Sequence, residues 1–162
     1  MFFTLCQALG DSEEGKLKVF YYNTIKQTAL PKITWTRNQT GSDGTIVVKI
    51  ENGITSSVSA WHADTSNRIQ RDFRSGKVTW IKSDGNKQQV SANEWSFSYT
   101  VTNGKYRSFY VSVDFADVAS GRNGETSVFT LTTTPVIMPD TFPFAECHGM
   151  GCKGQLLDLG RE

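Results

Sequence analysis

The chain reads as mainly β: a two-sheet sandwich of the immunoglobulin or fibronectin type III kind, preceded by one or two N-terminal helices. Three observations predict it. Apolar residues alternate with period two over seven short runs between Ile33 and Thr132. Clusters of Gly, Asn, Asp and Ser punctuate those runs as turn signals. Before residue 31 the apolar spacing is helical instead.

Residues 1–30 form the helical segment. Asp11 with Glu14 fits a capping pair at a helix start. Leu17, Phe20, Tyr21, Thr24 and Ile25 then recur on one face and read as a docking face, while residues 2–9 suit a short earlier helix. From Ile33 the period changes. Ile33 and Trp35 alternate with Thr34 and Thr36, and Ile46, Val48 and Ile50 with Val47 and Lys49. Val58 and Ala60 alternate with Ser59 and Trp61, and Val78 and Trp80 make a short run. Trp95, Phe97, Tyr99 and Val101 share a face, as do Phe109, Val111, Val113 and Phe115, and the last run is Val128–Thr132. Asn52-Gly53, Asn103-Gly104 and three longer Gly-containing clusters mark the reversals. The tail from Pro135 reads as irregular, because Pro139 and Pro143 interrupt strand pairing.

The chain has 162 residues, enough for one domain with a real core. Seventeen Lys and Arg against 16 Asp and Glu give a net charge of +1, which argues against a nucleic-acid-wrapping surface. No apolar run approaches the ~20 residues of a membrane span. Hydrophobic residues at 38% exclude a disordered chain.

Three cysteines are present: Cys6, Cys147 and Cys152. The spacer His-Gly-Met-Gly between the last two makes a pliable loop that closes as a disulfide, with Cys6 left over; two free thiols are the alternative. A metal centre on Cys147, His148 and Cys152 fails by count, since structural zinc takes about four ligands. A disulfide implies an oxidising compartment. Asn38-Gln39-Thr40 is an N-glycosylation sequon and leans the same way. The start, Met1 to Cys6, is apolar but short and lacks a basic residue, so it does not read as a signal peptide.

Catalytic signatures are sparse. Only His62 and His148 supply imidazole, no Gly-x-Ser-x-Gly elbow occurs, and the carboxylates are scattered among turns. No cofactor or metal is expected, and the chain itself does not read as an enzyme. Arg68, Arg71, Arg74 and Lys77 make a locally basic stretch, a candidate partner-binding surface for an acidic protein. The plainer alternative is a solvated face with Arg71 or Arg74 paired to a carboxylate. Phe73, between those charges, reads as an anchor in the sandwich or at its edge.

Three segments together are more specific: Leu30-Pro31-Lys32-Ile33-Thr34-Trp35; Trp61-His62-Ala63 leading to Arg71-Asp72-Phe73-Arg74 and Trp80; and Thr132 to Val136 running into Met138-Pro139-Asp140-Thr141-Phe142-Pro143-Phe144-Ala145-Glu146-Cys147. Over roughly residues 5–155 this resembles the carboxy-terminal part of the PhoPQ-activated pathogenicity-related protein family. The Cys-x4-Cys ending looks most like its eukaryotic branch of autocrine proliferation repressor proteins. The resemblance implies an α/β-hydrolase-like domain followed by the sandwich. On that pattern residues 1–30 are the last helices of the hydrolase-like part, 31–138 the sandwich, and 139–162 an irregular tail. The hydrolase triad would lie upstream, so no catalytic residue carries over and the chain is expected to be a fragment or short form. The implied function is a non-catalytic accessory or binding module of a secreted signalling protein. It would pack on the hydrolase-like domain or bind a cell-surface protein, with self-association through residues 1–28 when that domain is absent. The alternative is a piece of a secreted serine peptidase or esterase in which the module shapes substrate access.

Overall fold

The computed structural model describes residues 13–69, 71–74, 77–102 and 104–141. Helix α1 (Glu13–Lys26) comes first. Nine strands follow: β1 (Lys32–Thr40), β2 (Asp43–Asn52), β3 (Thr55–Asp64), β4 (Ile81–Lys82), β5 (Gln88–Ser91), β6 (Glu94–Thr100), β7 (Arg107–Ala119), β8 (Thr126–Thr132) and β9 (Val136–Met138). They form two antiparallel sheets, one ordered β1-β2-β6-β5 and the other β4-β3-β7-β8, with β9 also paired to β7.

The alternation in the sequence is what builds the core. Ile46, Val48 and Ile50 of β2, with Phe97 and Tyr99 of β6, turn one way; Val58 and Ala60 of β3, with Phe109, Val111, Val113 and Phe115 of β7, turn to meet them. Phe97, Phe109 and Phe115 are fully buried, and burying each such ring stabilises the fold by roughly 1.5–3 kcal/mol. The long strand β7 is the spine of its sheet, pairing with β3 on one side and with β9 and then β8 on the other. A register shift between Phe115 and Val118 holds Asp117 at a left-handed φ of 54°, a conformation Asp tolerates better than most residues.

One seam between the sheets is laced shut by β1. Its residues at alternate positions reach the β8–β9 segment: Trp35 Nε1 donates to Thr134 Oγ1 at 3.1 Å, Arg37 Nη1 to the Pro135 carbonyl at 3.5 Å and Gln39 Nε2 to the Ile137 carbonyl at 2.5 Å. Gln39 thereby caps a carbonyl on the edge of β9, and Arg37 one just before it, that would otherwise template a foreign strand. Gly44 allows the same seam to close. A Cβ there would lie 2.5 Å from Met138 Sδ and 2.9 Å from Val136 Cγ1.

Three strands depart from the sequence reading. The segment after Pro135 is not irregular: Val136 and Met138 are buried in the core as strand β9. Its flanking prolines disguise it. Strand β5 shows no apolar alternation because all four of its residues are exposed at a sheet edge. The short run expected at residues 78–80 forms its ladder slightly later, as β4.

Helix α1 ends at Lys26 rather than near residue 30. Gln27 adopts a left-handed φ of 55°, and the Thr28 amide donates to the Asn23 carbonyl at 3.0 Å, which closes the last turn. The helix docks on β7 and β8 through Val19 and Asn23, both buried. Asn23 Nδ2 donates to the Ala119 carbonyl at 2.6 Å and to the Val19 carbonyl at 2.8 Å, while its Oδ1 accepts from Thr28 Oγ1 at 2.6 Å. The face expected to dock points elsewhere: Leu17, Phe20, Tyr21 and Ile25 are 61%, 45%, 66% and 67% exposed. The Asp11 cap lies outside the described residues.

Candidate functional site

The basic stretch lies in the β3–β4 connection, which crosses the end of the second sheet. Its root is fixed by Thr65, whose amide donates to the Tyr106 carbonyl and whose Oγ1 accepts from the Tyr106 amide, both at 2.9 Å. Further along, Phe73 packs on Trp80 and Trp80 on Tyr110, with ring centroids 6.3 and 5.1 Å apart. Phe73 is therefore half-buried in an aromatic row beside Tyr110 and stands apart from the core cluster.

The four cations do not act as one patch. Arg74 is spent on Asp72: Nε and Nη2 reach its two oxygens at 2.8 and 2.6 Å, and the Arg74 amide adds a third contact at 3.1 Å. These contacts hold the Asp72 carboxyl at about 2, well below its usual range. Arg71 is drawn inward. Its guanidinium lies 5.7 Å from the centre of the Tyr106 ring and 3.3 Å from Asp140 Oδ1. Arg68 and Lys77 are exposed.

A second charged cluster, not anticipated from the sequence, sits at the start of β7. Arg107 makes a two-point contact with Asp64 at 2.6 and 2.8 Å and donates to the Thr100 carbonyl at 3.2 Å. The Arg107 hydrogen bonds hold the Asp64 carboxyl below the usual carboxylate range. His62, two residues earlier on β3, stacks on Tyr99 with centroids 5.3 Å apart, and the Tyr99 hydroxyl donates to the Ser83 carbonyl. Burial, and then the charge of Arg107, lower the His62 pKa and keep the ring neutral. Its Nδ1 is buried without a hydrogen-bond partner among the described residues. Among the described residues, therefore, no hydroxyl or thiol hydrogen-bonds to that nitrogen.

Among the described residues, hollows flank the sandwich on two sides. The larger, about 860 Å³, is an open trough along the edge of β3, whose ladder with β4 covers only Trp61 and His62. Hydroxyl and amide side chains dominate its wall, among them Ser56, Ser57, Ser59, Asn52 and Asn93. Lys87 guards the bare edge by donating to the Val58 carbonyl at 2.5 Å, with Asp84 3.5 Å from its ammonium group. The smaller hollow, about 340 Å³, lies on the laced seam between Arg37, Gln39, Arg71 and Asp140.

No protein-family model, curated protein or solved structure matches the chain. Among the described residues no group of His, Cys, Asp and Glu could hold a metal ion, and no helix is long and apolar enough to cross a membrane. Asn38 of the sequon is exposed on the edge strand β1. Cys6, Cys147, His148 and Cys152 lie outside the described residues.

Proposed function

We propose that the chain is a non-catalytic β-sandwich module of a secreted protein resembling the autocrine proliferation repressors, and that it packs on a companion domain through α1. The observation that carries this reading is the helix itself. Leu17, Tyr21 and Ile25 follow one another at four-residue intervals, with Phe20 beside them, and all four are exposed while the helix docks by its other side. Large apolar side chains grouped on one exposed face are the mark of an interaction surface. The strand order supports an immunoglobulin-like type for the sandwich: β1-β2-β6-β5 facing β4-β3-β7-β8 corresponds to ABED facing CFG with one extra edge strand. The unassisted His62 supports a non-catalytic role. The exposed sequon supports passage through the secretory pathway.

Two assays test the proposal. Purified chain is expected to hydrolyse activated esters and short peptides no faster than buffer; turnover at enzyme-like rates overturns the reading. Chain expressed through a secretory route is expected to carry a glycan that Asn38→Gln removes. A mass unchanged between the two proteins contradicts secretion.

A further inference from the structure

We propose that His62 is an acid-operated catch: once protonated, its ring leaves Tyr99, and the turn between β4 and β5 lifts from the sandwich. This goes beyond the docking role of α1 and uses none of its residues. The turn is held by Tyr99 of β6. The Tyr99 hydroxyl donates to the Ser83 carbonyl, and its ring lies where a Cβ on Gly85 would meet Cζ at 2.6 Å. Gly85 has a left-handed φ of 53°, which glycine adopts without strain, so the turn closes directly onto the ring. Tyr99 itself packs between His62 and Phe109, with centroids 5.3 and 4.7 Å away. Phe109 is fully buried, so the movable side of this stack is His62. Protonation makes both imidazole nitrogens donors, and Nδ1 is buried with no partner among the described residues to receive its hydrogen. The neighbouring charges offer no relief. Arg107 of β7, 5.9 Å from the Tyr99 ring centre, repels the imidazolium. Asp64 on β3 is held at both oxygens by that same guanidinium and lies in the field of Lys105. Asp84 in the turn pairs with Lys87 at 3.5 Å, Lys82 of β4 lies opposite Trp61, and burial keeps the Tyr99 phenol neutral. Burial and Arg107 already lower the His62 pKa from its ordinary 6.5, and a ring swung into water escapes both. Without Tyr99 the turn keeps the Ser83 amide on the Ala60 carbonyl at 2.9 Å, the Asn86 amide on the Ser98 carbonyl at 3.2 Å and Lys87 on the Val58 carbonyl at 2.5 Å. These bonds lie at the sheet edges, so the turn opens locally while both sheets stay intact.

The test is NMR of the isotope-labelled full chain between about pH 7.5 and 5, read as amide shifts and as protection factors, which cancel the intrinsic pH dependence of exchange. The Ser83, Gly85 and Asn86 amide shifts are expected to titrate with the midpoint of the His62 ring protons. Protection of the Ser83 and Asn86 amides is expected to fall about tenfold across that midpoint, while that of Val111 and Val113 in β7 holds. His62→Gln is expected to make these shifts and protections flat with pH. Arg107→Gln, which removes the cation and frees the Asp64 carboxylate, is expected to raise the midpoint, and Asp64→Asn to lower it. Tyr99→Phe, which lacks the hydroxyl bond to Ser83, is expected to lose protection in the turn already at about pH 7.5. Turn amides that do not titrate, a His62→Gln protein that titrates as before, or a Tyr99→Phe turn as protected as the native one each overturn the proposal. So do midpoints indifferent to both Arg107→Gln and Asp64→Asn, or protection lost equally in the turn and in β7.

Discussion

At the scale of single residues, His62, Asp64 and Arg107 at the end of the second sheet make part of the stability acid-sensitive. His62 is kept neutral by burial and by Arg107, so its folded pKa lies below the ordinary value of 6.5. A base depressed in the fold is protonated more readily in the unfolded chain, so its stability contribution is full above pH ~6.5 and falls as the pH drops through that range. Asp64 obeys the opposite chemistry with the same outcome. Its carboxyl is lowered by Arg107, so its contribution is full above about pH 4 and is lost as the pH falls through the folded value. Urea midpoints measured between pH 7.5 and 3 are therefore expected to decline in two stages. His62→Gln should remove the first stage, and Arg107→Gln should shrink both at a cost of about 1–3 kcal/mol at neutral pH, with the lowered Asp72 carboxyl sustaining part of the second. A single decline unaffected by either change would contradict these assignments. Gly44 sets a steric limit nearby. Gly44→Val would drive its methyls into Met138 and Val136 and is expected to cost about 1–3 kcal/mol in thermal or urea unfolding.

Elements differ in how legibly their residues announce them, and the reason is the environment each one faces. Strands β2 and β7 face the core on one side along most of their length, so Ile46-Val48-Ile50 and Phe109-Val111-Val113-Phe115 alternate cleanly. Strand β5 faces solvent, and β9 is three residues long between two prolines, so neither leaves a periodic trace. The helical spacing of α1 is plain in the sequence, but the face that docks is not. Docking is decided by the Ala119 carbonyl at the far end of β7, which captures the Asn23 amide across 96 residues. The smaller hollow was legible only in Arg71. Its partners Arg37 and Asp140 arrive from β1 and from the chain just beyond β9, and only the closed seam brings them together. In the basic stretch Arg74 pairs with Asp72 two residues away, as the plainer reading of the sequence, a solvated face with a locally paired arginine, expects. At this scale the critical contact is Asn23. Asn23→Ala leaves the Ala119 carbonyl unmet and is expected to cost about 1–3 kcal/mol, while faster amide exchange in residues 16–26 reports the loosened helix. Unchanged exchange there would show that Val19 alone anchors the helix.

At the scale of the whole molecule, the sandwich and the helix play different parts. The strands between Lys32 and Met138 share one continuous core drawn from both sheets, to which α1 contributes no residue. The helix instead fastens at one end of β7 and β8 and turns four large apolar side chains outward. Covering each is worth roughly 1.5–3 kcal/mol at full burial, a strong drive towards a companion domain or a second copy of the chain. Leu17→Lys with Tyr21→Lys is expected to abolish concentration-dependent association in sedimentation velocity while leaving the melting temperature within a few degrees; retained association would place the contact elsewhere. The most direct test of the account is urea unfolding, followed by tryptophan fluorescence, of a chain from which residues 1–28 have been removed. All four tryptophans, Trp35, Trp61, Trp80 and Trp95, lie in the sandwich and report on it alone. The account predicts one cooperative transition with a midpoint lowered by the loss of the Val19 and Asn23 contacts and no more. Strands that are already unfolded without urea, or that melt without cooperativity, would show that α1 belongs to the core and would contradict a self-sufficient sandwich with an external docking helix.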